Sequence, residues 1–232
     1  MSTIPLAAFC AEAGRPAALL KSAFLAFLML TVPAYAGERG AQPGAFDFYV
    51  LSLSWSPSYC AAEGADANPE QCGARRPFAF VVHGFWPQYE QGYPEFCPSR
   101  QPDRVPKALA EAYRDVVPSA GLMGHQWRKH GSCSGLSQEV YFSVLRRARE
   151  RITIPSAFSR IEEPLMISPQ EVEQRFLAEN QGLEPSGIAV TCGRRYLQEV
   201  RICMTRDLEF RSCKEVDRNS CRQRNVLMPP VR

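Results

Sequence analysis

The three histidines of the chain lie in two short segments, and each segment also contains a tryptophan. His83 ends the apolar run in "VVHGFWPQYE", while "GHQWRKHGSC" holds His125 and His130. If the second segment is a helical turn, residues four apart share a face, so His125 stacks over Lys129 and Gln126 over His130. Two imidazoles, an ammonium and a carboxamide would then form one patch, to which His83 is added from the end of a strand.

Such a patch carries the groups that are needed for attack on a phosphodiester by a neighbouring hydroxyl. One imidazole can take the proton of the nucleophile while another gives a proton to the leaving oxygen. Cationic and amide donors can stabilise the negative charge that develops on the phosphate oxygens. The two segments therefore predict acid–base catalysis on a phosphodiester, provided that they meet in one site.

Other interpretations of these residues compete with catalysis. Zinc binding of the His-Glu-x-x-His kind is disfavoured, because the two histidines are five apart and the glutamate is absent. Three histidines and the Cys133 thiolate could still hold zinc, although a cysteine of an exported chain is usually oxidised. Trp86 and Trp127 could be core residues, and Lys129 a solvated charge. The concentration of every histidine in two tryptophan-bearing segments favours a site.

The first 36 residues have the pattern of a secretory signal peptide. Arg15 and Lys21 precede an apolar stretch that is too short to span a bilayer comfortably, and the stretch ends in Ala-Tyr-Ala. A retained membrane anchor is the alternative, which the small residues Ala34 and Ala36 disfavour. We expect cleavage after Ala36, export to the periplasm or the outside, and no membrane association of the mature protein.

Cysteine usage supports export. The chain has nine cysteines, of which Cys10 lies in the leader, so the mature part keeps an even number, eight, at scattered positions. This pattern is typical of disulfides in an exported protein. The absence of a CxxC pair disfavours a zinc ribbon. Eight cysteines allow 105 pairings, so the residues alone leave the pairing open.

The charge balance does not predict a nucleic-acid-binding protein. The chain has 27 Lys and Arg against 24 Asp and Glu, a formal net charge of +3, and removal of the leader lowers this charge by one. Such a balance is too mild to attract a polyanion by bulk electrostatics. Binding of a polyanion must therefore depend on the local placement of charges.

The mature chain predicts strands near both ends. "FDFYVLSLSW" and "PFAFVVHGFWP" have the alternation of strands, and Gly84 and Pro87 are expected to stop the second. Both phases of the first are apolar, which indicates a bulge near Val50 or burial of both faces. Residues 56–72, between the two strands, are predicted to be a loop. "YLQEVRICMTRDLEF" returns to strand alternation near the C-terminus.

Helical periodicity occupies the middle of the chain, in "VPKALAEAYRDVV", "SQEVYFSVLRRARERI" and "PQEVEQRFLAEN". Ser137 caps the second segment, and Ser168 with Glu171 forms a capping box for the third, which Gly182 closes. Residues 37–45 look like a mobile lead-in. No repeat or linker divides residues 46–232. The predicted fold is one α+β domain, an antiparallel sheet packed with helices.

The same segments resemble the ribonuclease T(2) family. "HGFWPQYE" is similar to its first active-site segment, His-Gly-Leu-Trp-Pro, and "HQWRKHGSC" to its second, His-Glu-Trp-x-Lys-His-Gly-Thr-Cys. "FDFYVLSLSWSPSYC" resembles the strand that opens the family's domain, and the likeness runs from about Phe46 to Cys221. The resemblance implies an α+β endoribonuclease without a metal or organic cofactor. It would cleave single-stranded RNA through a 2′,3′-cyclic phosphate, which can then be hydrolysed to a 3′-phosphate.

The resemblance also implies a role for each catalytic residue. His130 would be the base that takes the proton of the 2′-hydroxyl. His83 would be the acid that protonates the 5′-oxygen leaving group, and Lys129 would stabilise the charged phosphorane. Gln126 stands where the family usually has a catalytic glutamate. Its carboxamide can donate a hydrogen bond to a phosphorane oxygen but cannot carry a proton or tune a histidine by charge, so a lower rate or a shifted pH optimum is implied.

The implied substrate-binding residues are His125, Trp86, Gln88 and Trp127. His125 would help to hold the phosphate, and Trp86 would stack on a base, a contact that tolerates any sequence. Gln88 replaces an aspartate that often recognises the base, so the resemblance leaves the base preference open.

The resemblance further implies four disulfides, Cys60–Cys72, Cys97–Cys133, Cys192–Cys221 and Cys203–Cys213. The bridge from Cys97 to Cys133 matters most, because it would fix the loop after His83 to the segment that carries His130.

The expected function is therefore that of an exported, monomeric ribonuclease that acts on single-stranded RNA without an obligate protein partner. A disulfide-stapled protein that keeps the fold and binds RNA or a partner without cutting is the alternative, for which Gln126 is the only support. A zinc-dependent hydrolase is a third possibility, which a chelator would inactivate.

Overall fold

Strands from both ends of the chain meet in one sheet. The computed structural model describes residues 38–73 and 77–231, so the predicted signal peptide lies outside the described residues. In chain order the strands and α-helices are β1 (Glu38–Arg39), β2 (Phe48–Trp55), α1 (Ser56–Glu63), α2 (Pro69–Cys72), β3 (Phe80–Gln88), β4 (Pro94–Glu95), α3 (Lys107–Ala112), α4 (Ala120–Lys129), α5 (Gln138–Glu150), β5 (Leu165–Ile167), α6 (Pro169–Glu179), β6 (Ile188–Cys192), β7 (Leu197–Met204), α7 (Lys214–Arg218) and β8 (Val226–Met228).

The central sheet is antiparallel, with its strands in the order β3, β2, β7, β6. β2 pairs with both β3 and β7, so the strands predicted near the N-terminus join the strand predicted near the C-terminus. Two pairs of short strands, β1 with β4 and β5 with β8, lie outside this sheet. The predicted α+β class with an antiparallel sheet is confirmed.

Both faces of β2 are buried, as its two apolar phases indicate. Tyr49, Leu51 and Leu53 lie in the main hydrophobic core. Phe48 and Val50 point to the opposite face, where a second, smaller cluster joins β2 to β3, β6, β7 and α7. The second face therefore carries buried side chains next to the polar residues of the site described below.

A β-bulge in β3 places His83. The register of β3 against β2 shifts between Ser52, which pairs with Gly84, and Leu53, which pairs with Val82, so His83 is an extra residue in β3. Bulges re-aim side chains and are over-represented next to active sites. Here the bulge leaves His83 half-buried between buried neighbours.

β3 continues through Gly84 and Pro87 to Gln88, so the prediction that these two residues stop the strand is wrong. β3 is an edge strand of the central sheet, and Pro87 pairs with Tyr49 of β2. An edge strand tolerates proline, because a missing N–H on its outer side breaks no ladder hydrogen bond.

Residues 56–72, predicted to be a loop, contain α1 and α2. Both helices have a proline in the first turn, Pro57 and Pro69, where the missing N–H would have no intrahelical partner. Asn68 caps α2 by accepting a hydrogen bond from the N–H of Glu70 at 2.8 Å. The loop prediction is wrong because prolines that open a helix look the same in the sequence as prolines of a loop.

The predicted caps of α5 and α6 are formed. The side chain of Ser137 accepts a hydrogen bond in the first turn of α5, and that of Ser168 accepts from the N–H of Glu171 at 3.1 Å. The carboxylate of Glu171 pairs with Arg175 instead of completing a capping box. None of the helices in residues 38–73 and 77–231 is long and apolar enough to cross a membrane.

The predicted lead-in packs against the domain rather than extending from it. β1 pairs in parallel with β4, and Ala41 is buried in a cluster with Cys97 and Cys133. The N–H of Gly44 donates to the carbonyl of Cys133 at 2.9 Å. These contacts correct the expectation of a mobile segment over residues 38–45.

The disulfide pairing that the resemblance implied is confirmed in full: the bridges are Cys60–Cys72, Cys97–Cys133, Cys192–Cys221 and Cys203–Cys213. The bridge from Cys97 to Cys133 links the chain just after β4 to the turn that follows α4. Beside this bridge, the N–H of Phe96 donates to the carbonyl of Lys129 at 2.8 Å, which satisfies one of the free carbonyls at the end of α4.

Candidate active site

The C-terminal end of α4 supplies five of the predicted site residues: His125, Gln126, Trp127, Lys129 and His130. The side chain of Ser119 caps the first turn of α4, and the helix ends at Lys129. The N–H of His130 still donates to the carbonyl of Gln126 at 2.9 Å, but its φ of −121° places it just outside the helix. His125, Gln126 and Lys129 therefore lie on the last helical turns, while His130 is the cap residue. The predicted two-stripe helix is right except for this last position.

His130 lies beneath the surface between two aromatic rings. It is 7% exposed, and its ring centroid lies 5.4 Å from that of Trp86 and 5.8 Å from that of Tyr93. Its Nδ1 is buried without a hydrogen-bond partner in the described residues. Nε2 is therefore the ring nitrogen that can meet a substrate.

Burial lowers the pKa of His130 to about 3, and the positive charges of Lys129, His125 and His83 act in the same direction. Burial also lowers the pKa of His125, again with Lys129 and His83 among the contributing charges. The three histidines are therefore close enough to influence each other's protonation. The two segments meet in one site, as the sequence requires.

Gln126 is fixed by Trp86. Its side chain is buried, and Oε1 accepts a hydrogen bond from Nε1 of Trp86 at 2.7 Å. A Cβ atom on Gly84 would lie 1.9 Å from that Nε1 and 2.6 Å from that Oε1. Only glycine leaves room for this contact. The amide NH₂ of Gln126 remains available to donate to another group.

Lys129 is held next to a buried acid. Its Nζ lies 3.7 Å from Oε2 of Glu95 and 5.8 Å from the ring centroid of Tyr93. The other oxygen of Glu95 lies 3.4 Å from Nε of Arg39, on β1. The ammonium is therefore tethered at the end of α4 instead of moving freely in solvent.

His83 faces a carboxylate from the neighbouring part of the sheet. Its Nδ1 is hydrogen-bonded to Oε1 of Glu199, on β7. Oε2 of Glu199 accepts from Nε of Arg201 at 2.8 Å and lies 2.7 Å from its Nη2. The guanidinium of Arg201 lies over the ring of Trp86, 5.2 Å from the centroid.

A cavity of about 800 Å³ begins at His83 and His125. Its walls come from α1, α2, the start of α4 and the turn between β6 and β7, which carries Arg194 and Arg195. Tyr59 and Tyr196 add aromatic surface, and Asn68 and Gln71 add amides. The cavity therefore offers aromatic, hydrogen-bonding and cationic groups beside two of the three histidines.

Two predicted substrate contacts do not fit the positions that the structure gives them. Trp127 is 1% exposed in the main core, where its Nε1 donates to the carbonyl of Pro102 at 2.9 Å. Trp86 is 9% exposed, and Gln126 occupies its N–H. The tryptophans support the site from within, because burial of aromatic area stabilises the fold. Gln88, at the end of β3, is half-buried and stays a candidate for base contact.

Four residues of the site were missed in the sequence: Glu199 and Arg201 on β7, and Tyr93 and Glu95 near β4. Glu199 and Arg201 occupy the polar positions of a strand in which apolar and polar residues alternate. This alternation is the one feature of the sequence that indicated them. Tyr93 and Glu95 stand in a Gly- and Pro-rich stretch without periodicity. Among residues 38–73 and 77–231, no group of three or more His, Cys, Asp and Glu side chains is arranged to hold a metal ion.

Solved structures share this fold. An RNase-related protein from Calystegia sepium superimposes with a TM-score of 0.64 at 19% identity, covering 81% of this chain and 98% of that one. Trichomaglin, described as a novel S-like ribonuclease, also gives 0.64 at 21% identity, covering 81% of this chain and 99% of that one.

Sequence comparison identifies the family. A ribonuclease of Aeromonas hydrophila is 33% identical over 217 residues, which span 88% of this chain and 96% of that protein. Ribonuclease I of Escherichia coli (strain K12) is 25% identical over 236 residues, 83% of this chain and 87% of that protein. The family model described as "Ribonuclease T2 family" matches residues 46–213. The predicted endoribonuclease class is confirmed, and this chain belongs to the ribonuclease T2 family.

Proposed function

We propose that this chain cleaves single-stranded RNA by attack of a ribose 2′-hydroxyl on the adjacent phosphorus. His130 takes the proton of the 2′-hydroxyl, and His83 gives a proton to the 5′-oxygen as the P–O5′ bond breaks. The products are a 2′,3′-cyclic phosphate and a free 5′-hydroxyl. Water then opens the cyclic phosphate to a 3′-phosphate, with the two histidines in exchanged roles. No metal or organic cofactor takes part.

The observation that carries this proposal is the contrast between the two histidines. Burial and nearby positive charge lower the pKa of His130 to about 3, so its ring is in the neutral form that a base needs across most of the acidic range. His83 is half-exposed, and its Nδ1 is bonded to the carboxylate of Glu199. A neutral base and a carboxylate-supported acid on either side of one phosphate are what the reaction requires.

Two further groups are placed to stabilise the phosphorane. Lys129 supplies a positive charge that Glu95 tethers. Gln126 supplies an amide N–H₂ whose orientation is set by the hydrogen bond from Trp86. Donors that are already oriented stabilise developing charge without a cost of reorganisation during the reaction. His125, exposed near the end of α4, is proposed to contact the phosphate of the bound substrate.

The cavity beside His83 is proposed to take the nucleoside on the leaving side of the bond. His83 protonates the 5′-oxygen, so the leaving nucleoside must begin where His83 stands. Tyr59 and Tyr196 line this cavity, and aromatic faces bind single-stranded bases with little sequence preference. On the other side of the phosphate, Gln88 is the candidate for a base contact.

We propose export to the periplasm or the outside of the cell and a monomeric state. The four disulfides support export, because such bridges persist in oxidising compartments. Attachment of β1 to β4 places the start of the described chain on the domain that carries the site.

The test is to incubate the purified protein with single-stranded RNA in the presence of EDTA and to identify the product ends. Cyclic phosphate ends support the proposal. Intact RNA across pH 4 to 8 would favour the alternative of a binding protein, and loss of activity with EDTA would favour a zinc-dependent hydrolase. Replacing His83 or His130 by alanine should lower the rate about a hundred- to ten-thousandfold, with the fold retained by circular dichroism.

The nucleophile can be tested separately with deoxyribose. DNA lacks the 2′-hydroxyl, so it should bind without being cut. An RNA with a single deoxyribose should resist cleavage only at the bond that follows that sugar. Scission of all-DNA oligomers at a comparable rate would point to an activated water instead.

A further inference from the structure

The bonding of Glu199 goes beyond what a structural ion pair needs. This carboxylate lies on β7, its side chain is 10% exposed, and both of its oxygens are used. Oε1 is bonded to Nδ1 of His83 and Oε2 to the guanidinium of Arg201. Removing a carboxylate from water costs several kcal/mol unless good partners compensate. A buried acid that faces a catalytic histidine therefore calls for a functional explanation.

Glu199 stays ionised in this environment. Burial acts to raise its pKa, but the hydrogen bond with His83 and the positive charge of Arg201 outweigh burial and lower the pKa to about 2. The charged groups that face Glu199 are His83 from β3 and Arg201 from its own strand, with His125 of α4 lining the same cavity. Glu63 of α1, an acid, also lines this cavity, but Glu199 is the acid that is hydrogen-bonded to His83.

We propose that Glu199 is a positioning residue for His83, holding the proton on Nδ1 and presenting Nε2 to the leaving 5′-oxygen. The nitrogen of a histidine that is available for chemistry is set by the hydrogen bond of the other nitrogen. The carboxylate also stabilises the imidazolium that must donate the proton. Arg201 completes the arrangement by holding Oε2, so that Oε1 remains directed at His83. The proposal rests on the proposed role of His83 as the acid.

The β-bulge explains why this support comes from β7. His83 is the extra residue of β3, so no residue of β2 lies directly opposite it. On β2, which lies between β3 and β7, Ser52 is opposite Arg201 and Ser54 is opposite Glu199. Because both serine side chains are small, Glu199 has space to extend across β2 to His83.

The test compares two substrates that differ in their need for an acid. A dinucleotide has an alkoxide leaving group that must be protonated, whereas uridine 3′-(4-nitrophenyl phosphate) releases a phenolate without a proton. Glu199→Gln should lower kcat/KM on the dinucleotide by about ten- to a hundredfold, part of what general acid catalysis supplies. On the nitrophenyl ester we expect little change. In a His83→Ala background, Glu199→Gln should cause no further loss on the dinucleotide.

Controls separate positioning from folding. Glu209→Gln removes an acid that pairs with Arg151 and does not line the cavity, so it should leave the rates on both substrates unchanged. Glu199→Asp keeps the buried charge but withdraws the carboxylate by one methylene, so it should show the same substrate contrast even if Glu199→Gln does not fold. Equal losses on both substrates, or a wild-type rate on the dinucleotide, would overturn the positioning role. If His83→Ala itself shows no substrate contrast, the acid assignment fails instead.

A second inference comes from Arg194 and Arg195, which line the same cavity from the turn between β6 and β7. In the described part of the chain, neither guanidinium has an ion pair or a hydrogen bond, and Arg195 only stacks on Tyr196 at 5.6 Å. Ser58 of α1 also lines this cavity, and its Oγ is buried without a hydrogen-bond partner in the described residues. Two cations without partners at one cavity indicate an anionic ligand.

We infer that Arg194 and Arg195 bind the phosphate that follows the leaving nucleoside in a longer RNA. This rests on the proposed occupancy of the cavity by that nucleoside, because its 3′-phosphate would then leave the cavity away from His83. The turn is held in place by the Cys192–Cys221 bridge and by the N–H of Gly193, which donates to the carbonyl of Tyr196 at 3.0 Å. Because the turn is fixed, both guanidiniums are presented to the bound RNA strand.

The probe is a dinucleotide with and without a 3′-terminal phosphate. The wild-type protein should cleave the phosphorylated form with a kcat/KM roughly fivefold higher, the effect of an exposed ion pair of about 1 kcal/mol. The double variant Arg194→Ser/Arg195→Ser should lose this preference and keep its rate on the plain dinucleotide. Arg147→Ser/Arg160→Ser removes two exposed cations that do not line the cavity, with the same change in charge, and it should keep the preference. No preference in the wild-type protein would overturn the inference, whereas absence of cleavage of either form would overturn the proposed function.

Discussion

Restoring a glutamate at position 126 tests the electrostatics of the site most directly. In Gln126→Glu, one carboxylate oxygen can accept the hydrogen bond that Oε1 now accepts from Trp86 at 2.7 Å. The other oxygen replaces the amide NH₂, so a negative charge stands one helical turn before His130. The substitution changes charge with almost no change in volume, and the packing against Gly84 should be retained.

The magnitude follows from the low pKa of His130, about 3, which results from burial and nearby positive charge. At an effective dielectric constant of about 20, opposite unit charges about 5 Å apart attract by about 3 kcal/mol. One pKa unit corresponds to about 1.4 kcal/mol, so the new carboxylate should raise the pKa of His130 by about two. The base must be unprotonated to act, so the acidic limb of kcat/KM should move to higher pH by the same amount.

The assay is kcat/KM on a dinucleotide between pH 3 and 8 at constant ionic strength. At pH 4 the glutamate variant should be up to about tenfold slower than the natural protein, and the difference should disappear at higher pH. Gln126→Leu is the matched control without charge: it should cost about tenfold or more in turnover without moving the limb, because it removes a donor to the phosphorane. It should also destabilise the fold by about 1–3 kcal/mol, since the indole N–H loses its acceptor. Superimposable profiles of all three proteins would refute the placement of Gln126 at the phosphate.

Three further substitutions test the parts that hold the site. Lys129→Ala should lower kcat about a hundred- to a thousandfold with little change in KM, because its charge acts on the phosphorane; a change in KM alone would contradict this. Gly84→Ala should destabilise the protein by about 1–3 kcal/mol in thermal unfolding, because its Cβ would lie 1.9 Å from Nε1 of Trp86; an unchanged Tm would mean that the indole moves freely. The double variant Cys97→Ser/Cys133→Ser should lower the free energy of unfolding, measured in urea, by about 4 kcal/mol, because it opens a loop that the bridge closes across a sequence separation of 36. Retention of full stability would show that other contacts hold the loop.

The parts of the fold that local pattern determines could be predicted from the sequence. Alternation located the strands, and the caps at Ser137 and Ser168 marked the starts of two helices. The predictions were wrong at residues that occur in more than one kind of local structure. Pro57 and Pro69 open helices, and Pro87 sits inside an edge strand, because the environment of each proline is set by tertiary structure.

The site divides in the same way. The three histidines, Lys129 and Gln126 were predicted because they share two short segments. The partners of the histidines could not be found, since the contact between His83 and Glu199 depends on a bulge and on the order of the strands across a separation of 116 residues. The stacking of Trp86 on a base stays a prediction, although the side chain is only 9% exposed. A tryptophan beside a catalytic histidine can serve substrate or fold, and only the hydrogen bond to Gln126 shows which.

The surroundings of His130 and His83 support the opposite roles that we propose for them. His130 is buried, lacks a partner at Nδ1 and stands among positive charges, and each of these conditions favours the neutral ring. His83 is half-exposed, and its Nδ1 is bonded to the carboxylate of Glu199, whose pKa is lowered to about 2 by the hydrogen bond with His83 and the charge of Arg201 against the effect of burial. A neutral base and a histidine that is held by a carboxylate are the pair that the proposed reaction needs. We therefore expect catalysis without a glutamate at position 126, because burial keeps His130 neutral and Glu199 is placed to hold His83.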